Sequence, residues 1–133
     1  MDRIFLGANV LFSAAYRPDA GLLRLWELDQ VDLVTSRYAA EEARLNLLDE
    51  AQRRRLNKLL AKVDIIESIP SGPLPQGIKL PKKDHLILLA AIAARATHLL
   101  TGDKEHFEKY FGREIGGMLI LPPAEYFKSR KAK

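Results

Sequence analysis

The feature that most constrains the fold is an alternation of short apolar segments with helical patterns along the whole chain. Short runs rich in β-branched and aliphatic residues predict five strands, at 3–6, 31–35, 63–66, 98–101 and 118–121. Helical patterns fall between them, at 9–15, 21–28, 36–48, 50–62, 83–96, 104–110 and from Pro122 onward. This alternation indicates right-handed βαβ crossovers. The sequence therefore predicts an α/β fold with a central, mostly parallel five-stranded sheet.

The chain is expected to form a single domain across residues 1–133, which is long enough to bury a substantial core. A loop at 68–81 is rich in proline and glycine, but too little chain lies on either side for two cores. The segment 86–94 is apolar on nearly every side and should form a buried central helix. The basic residues in 128–133 are expected to form a frayed tail.

Composition limits the classes of function. The chain contains no cysteine, which excludes disulfides and thiolate metal sites. Its longest apolar run is far shorter than the ~20 residues that a bilayer requires, and no signal-peptide pattern opens it. We therefore expect a cytoplasmic protein without a membrane partner. The net charge of +4 weakly favours a polyanionic partner.

Three acidic residues are expected to converge at one edge of the sheet. Gly7 and Asp103 directly follow predicted strands, whereas Glu42 and Asp84 stand early in helices. In parallel sheets, ligands bind beyond the carboxyl ends of the strands. Clustered carboxylates repel each other unless a cation is present, and Mg²⁺ and Mn²⁺ prefer oxygen ligands. The pattern predicts a divalent-metal site that could activate water and stabilise charge on a phosphodiester.

Each acid also has an ordinary structural interpretation. Asp84 and Asp103 could cap helices, because aspartate is a favoured residue at a helix start. Glu41 and Glu42 could be solvated helix residues, and helical periodicity does not distinguish which of the two faces the site.

The basic residues and histidines give weaker signals. Residues 53–55 are three consecutive arginines, which spread around a helix and indicate a solvated surface more than an RNA-binding patch. His85, His98 and His106 lack the close spacing of a zinc site. His106 is expected to serve packing or a hydrogen bond. Neither common glycine-rich phosphate loop occurs, which disfavours nucleotide binding.

Four short motifs occur in a specific order: Phe5-Leu6-Gly7-Ala8-Asn9-Val10-Leu11, Thr35-Ser36 with Glu42 after it, Asp84-His85-Leu86-Ile87-Leu88-Leu89-Ala90-Ala91, and Leu100-Thr101-Gly102-Asp103 followed by Phe107. Through these motifs the chain resembles a PIN domain across nearly its whole length. The resemblance implies a three-layer α/β/α fold with a central parallel sheet. It also implies Mg²⁺- or Mn²⁺-dependent cleavage of RNA, often by VapC-type toxins that an antitoxin encoded beside them holds inactive.

The resemblance also assigns roles to individual positions. It implies that Glu42, Asp84 and Asp103 are the catalytic, metal-binding acids. It also implies that Asn9 and Thr101 support the site. The first acid of the family pattern falls on Gly7 and is absent. Both metal affinity and rate should therefore be lower than in a complete site. Gly7 is consistent with a natural degenerate member and with a substitution that silences a toxic enzyme.

The resulting hypothesis is a PIN-like, divalent-metal-dependent ribonuclease, the toxin of a toxin–antitoxin pair, with activity impaired at Gly7. The expected partners are an RNA substrate, a cognate antitoxin and a second copy of the chain. The alternative is a non-catalytic module that binds RNA or protein on a degenerate PIN scaffold. A weaker third hypothesis is a structural subunit with no nucleic-acid role.

Overall fold

The protein is built on a six-stranded sheet, and a computed structural model describes residues 1–67 and 72–131. The strand order is β3-β2-β1-β4-β6-β5, and every pair is parallel except β5 with β6. The predicted α/β class with a mostly parallel sheet is confirmed. The strands are β1 (Asp2–Leu6), β2 (Val31–Ser36), β3 (Asp64–Ile66), β4 (His98–Leu100), β5 (Glu114–Ile115) and β6 (Met118–Leu121).

Helices occupy the connections between the strands, close to the predicted positions. Two segments are tighter 3-10 helices, at Gly21–Glu27 and Glu108–Tyr110. Of the predicted loop, residues 68–71 lie outside the described part of the chain, and 72–81 contain no helix or strand. The α-helices are α1 (Ala8–Tyr16), α2 (Arg37–Asn46), α3 (Glu50–Leu60), α4 (Lys82–Ala93), α5 (Lys104–Phe107) and α6 (Pro123–Lys131).

The sixth strand, β5, is a two-residue segment that the sequence did not predict. It pairs antiparallel with β6 through a turn at Gly116 and Gly117, whose φ angles are 61° and 79°. Two consecutive positive φ values suit a tight hairpin and favour glycine at both positions. A side chain on Gly116 would also crowd Ile92, because a Cβ there would lie 3.0 Å from Cδ1 and the isoleucine would have to move by a few tenths of an ångström.

Helix α4 is central, as its apolar sequence predicts. Ile87, Leu88, Ala90 and Ala91 are buried, and the helix packs against β2. The helix ends at Ala93, three residues earlier than the predicted position 96. None of the helices in the described part of the chain is long and apolar enough to cross a membrane.

The C-terminal segment is helical over part of the range, 128–133, for which the sequence predicts a frayed tail. Helix α6 continues to Lys131, and only residues 132–133 lie outside the described part of this segment. Lys128 pairs with Glu125 at 3.5 Å, and Arg130 donates to the buried hydroxyl of Tyr126 at 3.3 Å. These contacts within the helix, and burial of Tyr126, hold Lys128 and Arg130 in regular structure.

Two of the three consecutive arginines bind backbone carbonyl groups, which the interpretation as a solvated surface did not anticipate. Arg55 donates from Nε to Ala15 O at 3.0 Å, at the C-terminal end of α1. Arg53 donates to Leu47 O at 2.8 Å. These bonds satisfy carbonyl groups at or just beyond helix ends, and they tie α3 to the end of α1 through Arg55 and to the end of α2 through Arg53.

Candidate active site

The strand order creates a cleft between β1 and β4, where the order of the strands in the sheet switches direction. On one side of β1 the sheet continues to β2 and β3, and on the other side it continues to β4 and β6. The connections that follow β1 and β4 therefore run in opposite directions, which leaves a gap between the carboxyl ends of these two strands. A cleft of about 380 Å³ opens there. All six positions singled out from the sequence line it: Gly7, Asn9, Glu42, Asp84, Thr101 and Asp103.

Gly7 lies at the junction of β1 and α1 and has backbone torsions that any residue can adopt. Its φ and ψ are −69° and 164°, and its carbonyl accepts from the amides of Val10 and Leu11 at the start of α1. A Cβ added here would point toward Thr101, 3.7 Å from its Cβ, but would lie only 3.2 Å from Leu100 O. A carboxylate at this position would therefore enter the cleft after a backbone shift of a few tenths of an ångström.

Asn9, near the start of α1, and Thr101, directly after β4, are hydrogen-bonded to each other beside the cleft. Asn9 Nδ2 donates to Thr101 Oγ1 at 3.3 Å, and Asn9 Oδ1 accepts from the amide of Gly102 at 3.0 Å. Thr101 Oγ1 also accepts from the amide of Asp103 at 3.1 Å. The two side chains thus fix the loop that carries Asp103, which is the kind of contact expected of supporting residues.

Asp103 both caps α5 and contributes to the cleft. Its Oδ1 accepts from the backbone amide of His106 at 3.2 Å, which is the usual geometry of a helix N-cap. Its Oδ2 lies 2.8 Å from His106 Nδ1. The capping interpretation is therefore correct for Asp103, and it does not exclude a role in the cleft, because the second carboxylate oxygen remains oriented toward its neighbours.

Asp84 is a buried acid in the first turn of α4, and it is not the cap, since the residue before this helix is Pro81. It is 7% exposed, and its Oδ2 has no hydrogen-bond partner. His106 Nδ1 lies 3.0 Å away, but its bond is directed at Asp103. Burial, and secondly the negative charge of Asp103, raise the pKa of Asp84 above its usual value.

Glu42 lines the cleft but lies outside the group of ligand atoms formed by Asp84, Asp103 and His106. The hydroxyl of Tyr38 donates to its Oε1 at 3.4 Å, and its backbone carbonyl accepts from Asn46. Glu41, in contrast, is exposed and lies 3.8 Å from Arg44, so Glu42 is the acid of this pair that faces the cleft. Burial, and then the charge of Glu42, raise the pKa of Tyr38.

His106 is a member of the site that the sequence did not single out. Among the described residues, ligand atoms of Asp84, Asp103 and His106 all lie within 4.8 Å of one another. The hydrogen bond to Asp103 raises the pKa of His106. A helix that begins at Asp103 places residue 106 on the same side one turn later, and this spacing is the signal that could have identified the histidine.

The donor set fits a divalent cation. Two carboxylates converge in a partly buried position, and one of their oxygens has no hydrogen-bond partner. A buried carboxylate oxygen without a hydrogen bond is costly unless a positive charge lies nearby, and in the metal-free chain the imidazole of His106, 3.0 Å from Asp84 Oδ2, can carry that charge. Mg²⁺ and Mn²⁺ supply that charge and accept oxygen ligands.

The mostly parallel sheet and its strand order define an α/β fold with the cleft at the switch point. A solved structure with the same fold is described as VapBC2 from Rickettsia felis bound to a DNA fragment from their promoter. The match has a TM-score of 0.65 and 18% identity, and it covers 90% of this chain and 98% of the other. No protein-family model and no curated protein matches this chain. At this identity the likeness concerns the fold alone.

Proposed function

We propose that the protein is a PIN-like endoribonuclease that depends on Mg²⁺ or Mn²⁺ and acts as the toxin of a toxin–antitoxin pair. The observation that carries the proposal is the buried Oδ2 of Asp84, which accepts no hydrogen bond and lies close to Asp103 and His106 in a cleft that Glu42 also lines. Isolated helix caps or solvated acids would have no physical reason to meet in this way. Because Gly7 contributes no carboxylate, the chain as it stands should have low activity.

In this proposal the acids hold and orient the reacting groups. Asp84 and Asp103 would bind the ion directly, and Glu42 would hold water or its hydration shell across the cleft. The ion, when bound, supplies water activation and neutralisation of negative charge on the phosphodiester. Lys83 is exposed at the edge of the cleft, so its ammonium group is available to attract a phosphate.

A cognate antitoxin and a second copy of the chain are the proposed protein partners. The support for the antitoxin is the structural neighbour, which is a VapBC2 assembly bound to promoter DNA. A small DNA-binding protein encoded beside this chain should form a stable complex with it and reduce RNA cleavage. A cytoplasmic location is part of the same proposal.

The decisive experiment restores the missing carboxylate. We expect Gly7→Asp to raise Mn²⁺- or Mg²⁺-dependent cleavage of RNA by at least ~10-fold, because the new side chain enters the cleft beside Thr101. Gly7→Ala is the matched control, since it adds the same Cβ near Leu100 O without a carboxylate. Asp84→Asn in the Gly7→Asp background should abolish the gain.

Thermal melts of the same variants provide a second measurement. Gly7→Asp adds negative charge to the cleft, so without metal it should melt below Gly7→Ala, and it should gain more stability on adding Mn²⁺. Equal RNA cleavage by the wild type, Gly7→Ala and Gly7→Asp would show that residue 7 is not the missing ligand. Inactivity of all three, without any metal-linked stabilisation, would favour the non-catalytic binding module.

A further inference from the structure

We propose that His106 is itself a ligand of the divalent ion, through Nδ1, and that the site consequently prefers a first-row transition metal such as Mn²⁺ to Mg²⁺. The inference rests on the proposed metal site and deepens it by naming the class of ion. It concerns a residue for which neither the sequence motifs nor the acid pattern gives a metal-binding role.

The first support is the spacing of the donor atoms. His106 Nδ1 lies 2.8 Å from Asp103 Oδ2 and 3.0 Å from Asp84 Oδ2. Adjacent ligands of an octahedral ion are roughly 3 Å apart when the bonds to the ion are about 2.1 Å long. The imidazole nitrogen therefore already stands at ligand spacing from both carboxylates.

The second support is independent of that spacing. Asp84 is more than nine-tenths buried, yet its Oδ2 has no hydrogen-bond partner even though the imidazole nitrogen is close. One N–H cannot serve both carboxylates, and the geometry directs it to Asp103. An ion among the three atoms would satisfy both acids at once, and Nδ1 would then present its lone pair.

The opposite edge of the ring suits this arrangement. His106 Nε2 lies 3.9 Å from Oε1 of the exposed Glu105, beyond hydrogen-bond distance but within reach of a side-chain rotation. A metal-bound imidazole carries its proton on the other ring nitrogen, and a nearby carboxylate stabilises that tautomer. Glu105 is solvent-exposed, so its side chain can approach Nε2 without disturbing the core.

The chemistry of the donors then selects the ion. Mg²⁺ is bound almost entirely by oxygen, whereas affinity for a nitrogen donor rises along the first transition series. At residue 7, where the family pattern would supply another carboxylate, this chain has glycine, so the imidazole forms a larger share of the donor set. The two aspartates also balance the charge of a divalent ion.

The test measures metal binding without relying on catalysis. Metal-free full-length protein is titrated with Mn²⁺ and with Mg²⁺ by calorimetry, and the Mn²⁺ complex is examined by pulsed electron paramagnetic resonance for coupling to an imidazole nitrogen. His106→Asn offers an amide oxygen near the position of Nδ1. His85→Asn is the matched control, because His85 contacts Gly72 O and stands outside the donor group.

We expect nitrogen coupling in the wild type and in His85→Asn, and none in His106→Asn. The preference for Mn²⁺ over Mg²⁺ should fall by about tenfold in His106→Asn alone. Absence of nitrogen coupling in the wild type, or an unchanged preference in His106→Asn, would overturn the inference in favour of a simple ion pair. If His106→Asn does not fold, the spectrum of the wild type still decides.

The outcomes separate this inference from the proposed function. Nitrogen-coupled Mn²⁺ in a protein whose Gly7→Asp variant cleaves no RNA would keep the ligand and reject the nuclease. RNA cleavage by Gly7→Asp with Mg²⁺ and no nitrogen coupling would keep the nuclease and reject the ligand.

Discussion

At the scale of single residues, protonation of His106 and Asp84 is coupled to the stability of the folded chain. Asp103 raises the pKa of His106 above 6.5, and burial raises the pKa of Asp84 above 3.8. Both groups bind protons more tightly when the chain is folded. The free energy of unfolding should therefore fall as pH rises from the ordinary pKa of each group through its raised pKa in the folded chain. Thermal melts in metal-free buffer should therefore show a lower midpoint at pH ~8 than at pH ~6.

Asp103→Asn is the control for this pH dependence. It replaces the carboxylate whose hydrogen bond, and then whose charge, raise the pKa of His106, and it removes the repulsion on Asp84, so the slope should become shallower. A wild-type midpoint that stays constant or rises over this range would contradict the prediction. Saturating Mn²⁺ should also suppress the slope, because the ion replaces the bound protons.

The residue scale also shows what the sequence could predict. Glu42, Asp84 and Asp103 were placed near one edge because each follows a strand or begins a helix, and this is a property of chain order. The helix predicted at 104–110 already sets His106 one turn after Asp103, but the sequence does not indicate that its imidazole also meets Asp84, which comes from α4. A shift of the start of α5 by one residue would turn the imidazole away.

At the scale of elements, the start of α2 controls the position of Glu42. Ser36 is fully buried, and its Oγ accepts from the amide of Ala39 at 3.1 Å. We expect Ser36→Ala to lower the free energy of unfolding by about 1 kcal/mol, because the amide loses its cap. Urea denaturation measures the loss, and Ser13→Ala, at an exposed position of α1, should change stability much less. Equal effects of the two substitutions would show that the cap contributes little.

Each strand or helix that the sequence predicts has its own apolar run or apolar periodicity. The strand β5 has only two residues, Glu114 and Ile115, and no periodicity can be read from so short a segment. Its existence depends on pairing with β6, which is a tertiary contact. The 3-10 geometry of Gly21–Glu27 was likewise not specified by an apolar pattern that suits an α-helix equally well.

At the scale of the whole molecule, a buried hydrogen bond connects the first strand with the last helix. Tyr126 is fully buried, and its hydroxyl donates to Asp2 Oδ2 at 2.6 Å. Burial, with this bond, raises the pKa of Tyr126 to about 12. We expect Tyr126→Phe to lower the free energy of unfolding by about 2 kcal/mol, because a hydrogen bond to a carboxylate is lost.

Chemical denaturation of Tyr126→Phe beside Tyr16→Phe tests this link, since Tyr16 is about half exposed. The stabilising effect of Tyr126 should be fully present below pH 10 and decline as pH rises toward 12, because the folded state holds the phenol proton more tightly. Equal stability of the two variants would mean that the contact with Asp2 contributes nothing.

Strand order is the whole-molecule property that local patterns specify least. Alternation of strands and helices indicates parallel pairing, but the order β3-β2-β1-β4-β6-β5 depends on contacts between distant segments. Helix α6 shows the same limit. The sequence predicts a frayed tail from residue 128, whereas the structure continues the helix to Lys131, where Tyr126 and Arg130 contact Asp2 and Asp29 from distant parts of the chain.

The bonds made by Asn9 and Thr101 have a consequence for motion on the timescale of amide hydrogen exchange. Gly102 is exposed to solvent, yet its amide is bound to Asn9 Oδ1, and the next amide, of Asp103, is bound to Thr101 Oγ1. These two amides can exchange with heavy water only when the side-chain bonds open. The loop should therefore open together with the junction of β1 and α1, so that two segments more than ninety positions apart in the chain behave as one dynamic unit.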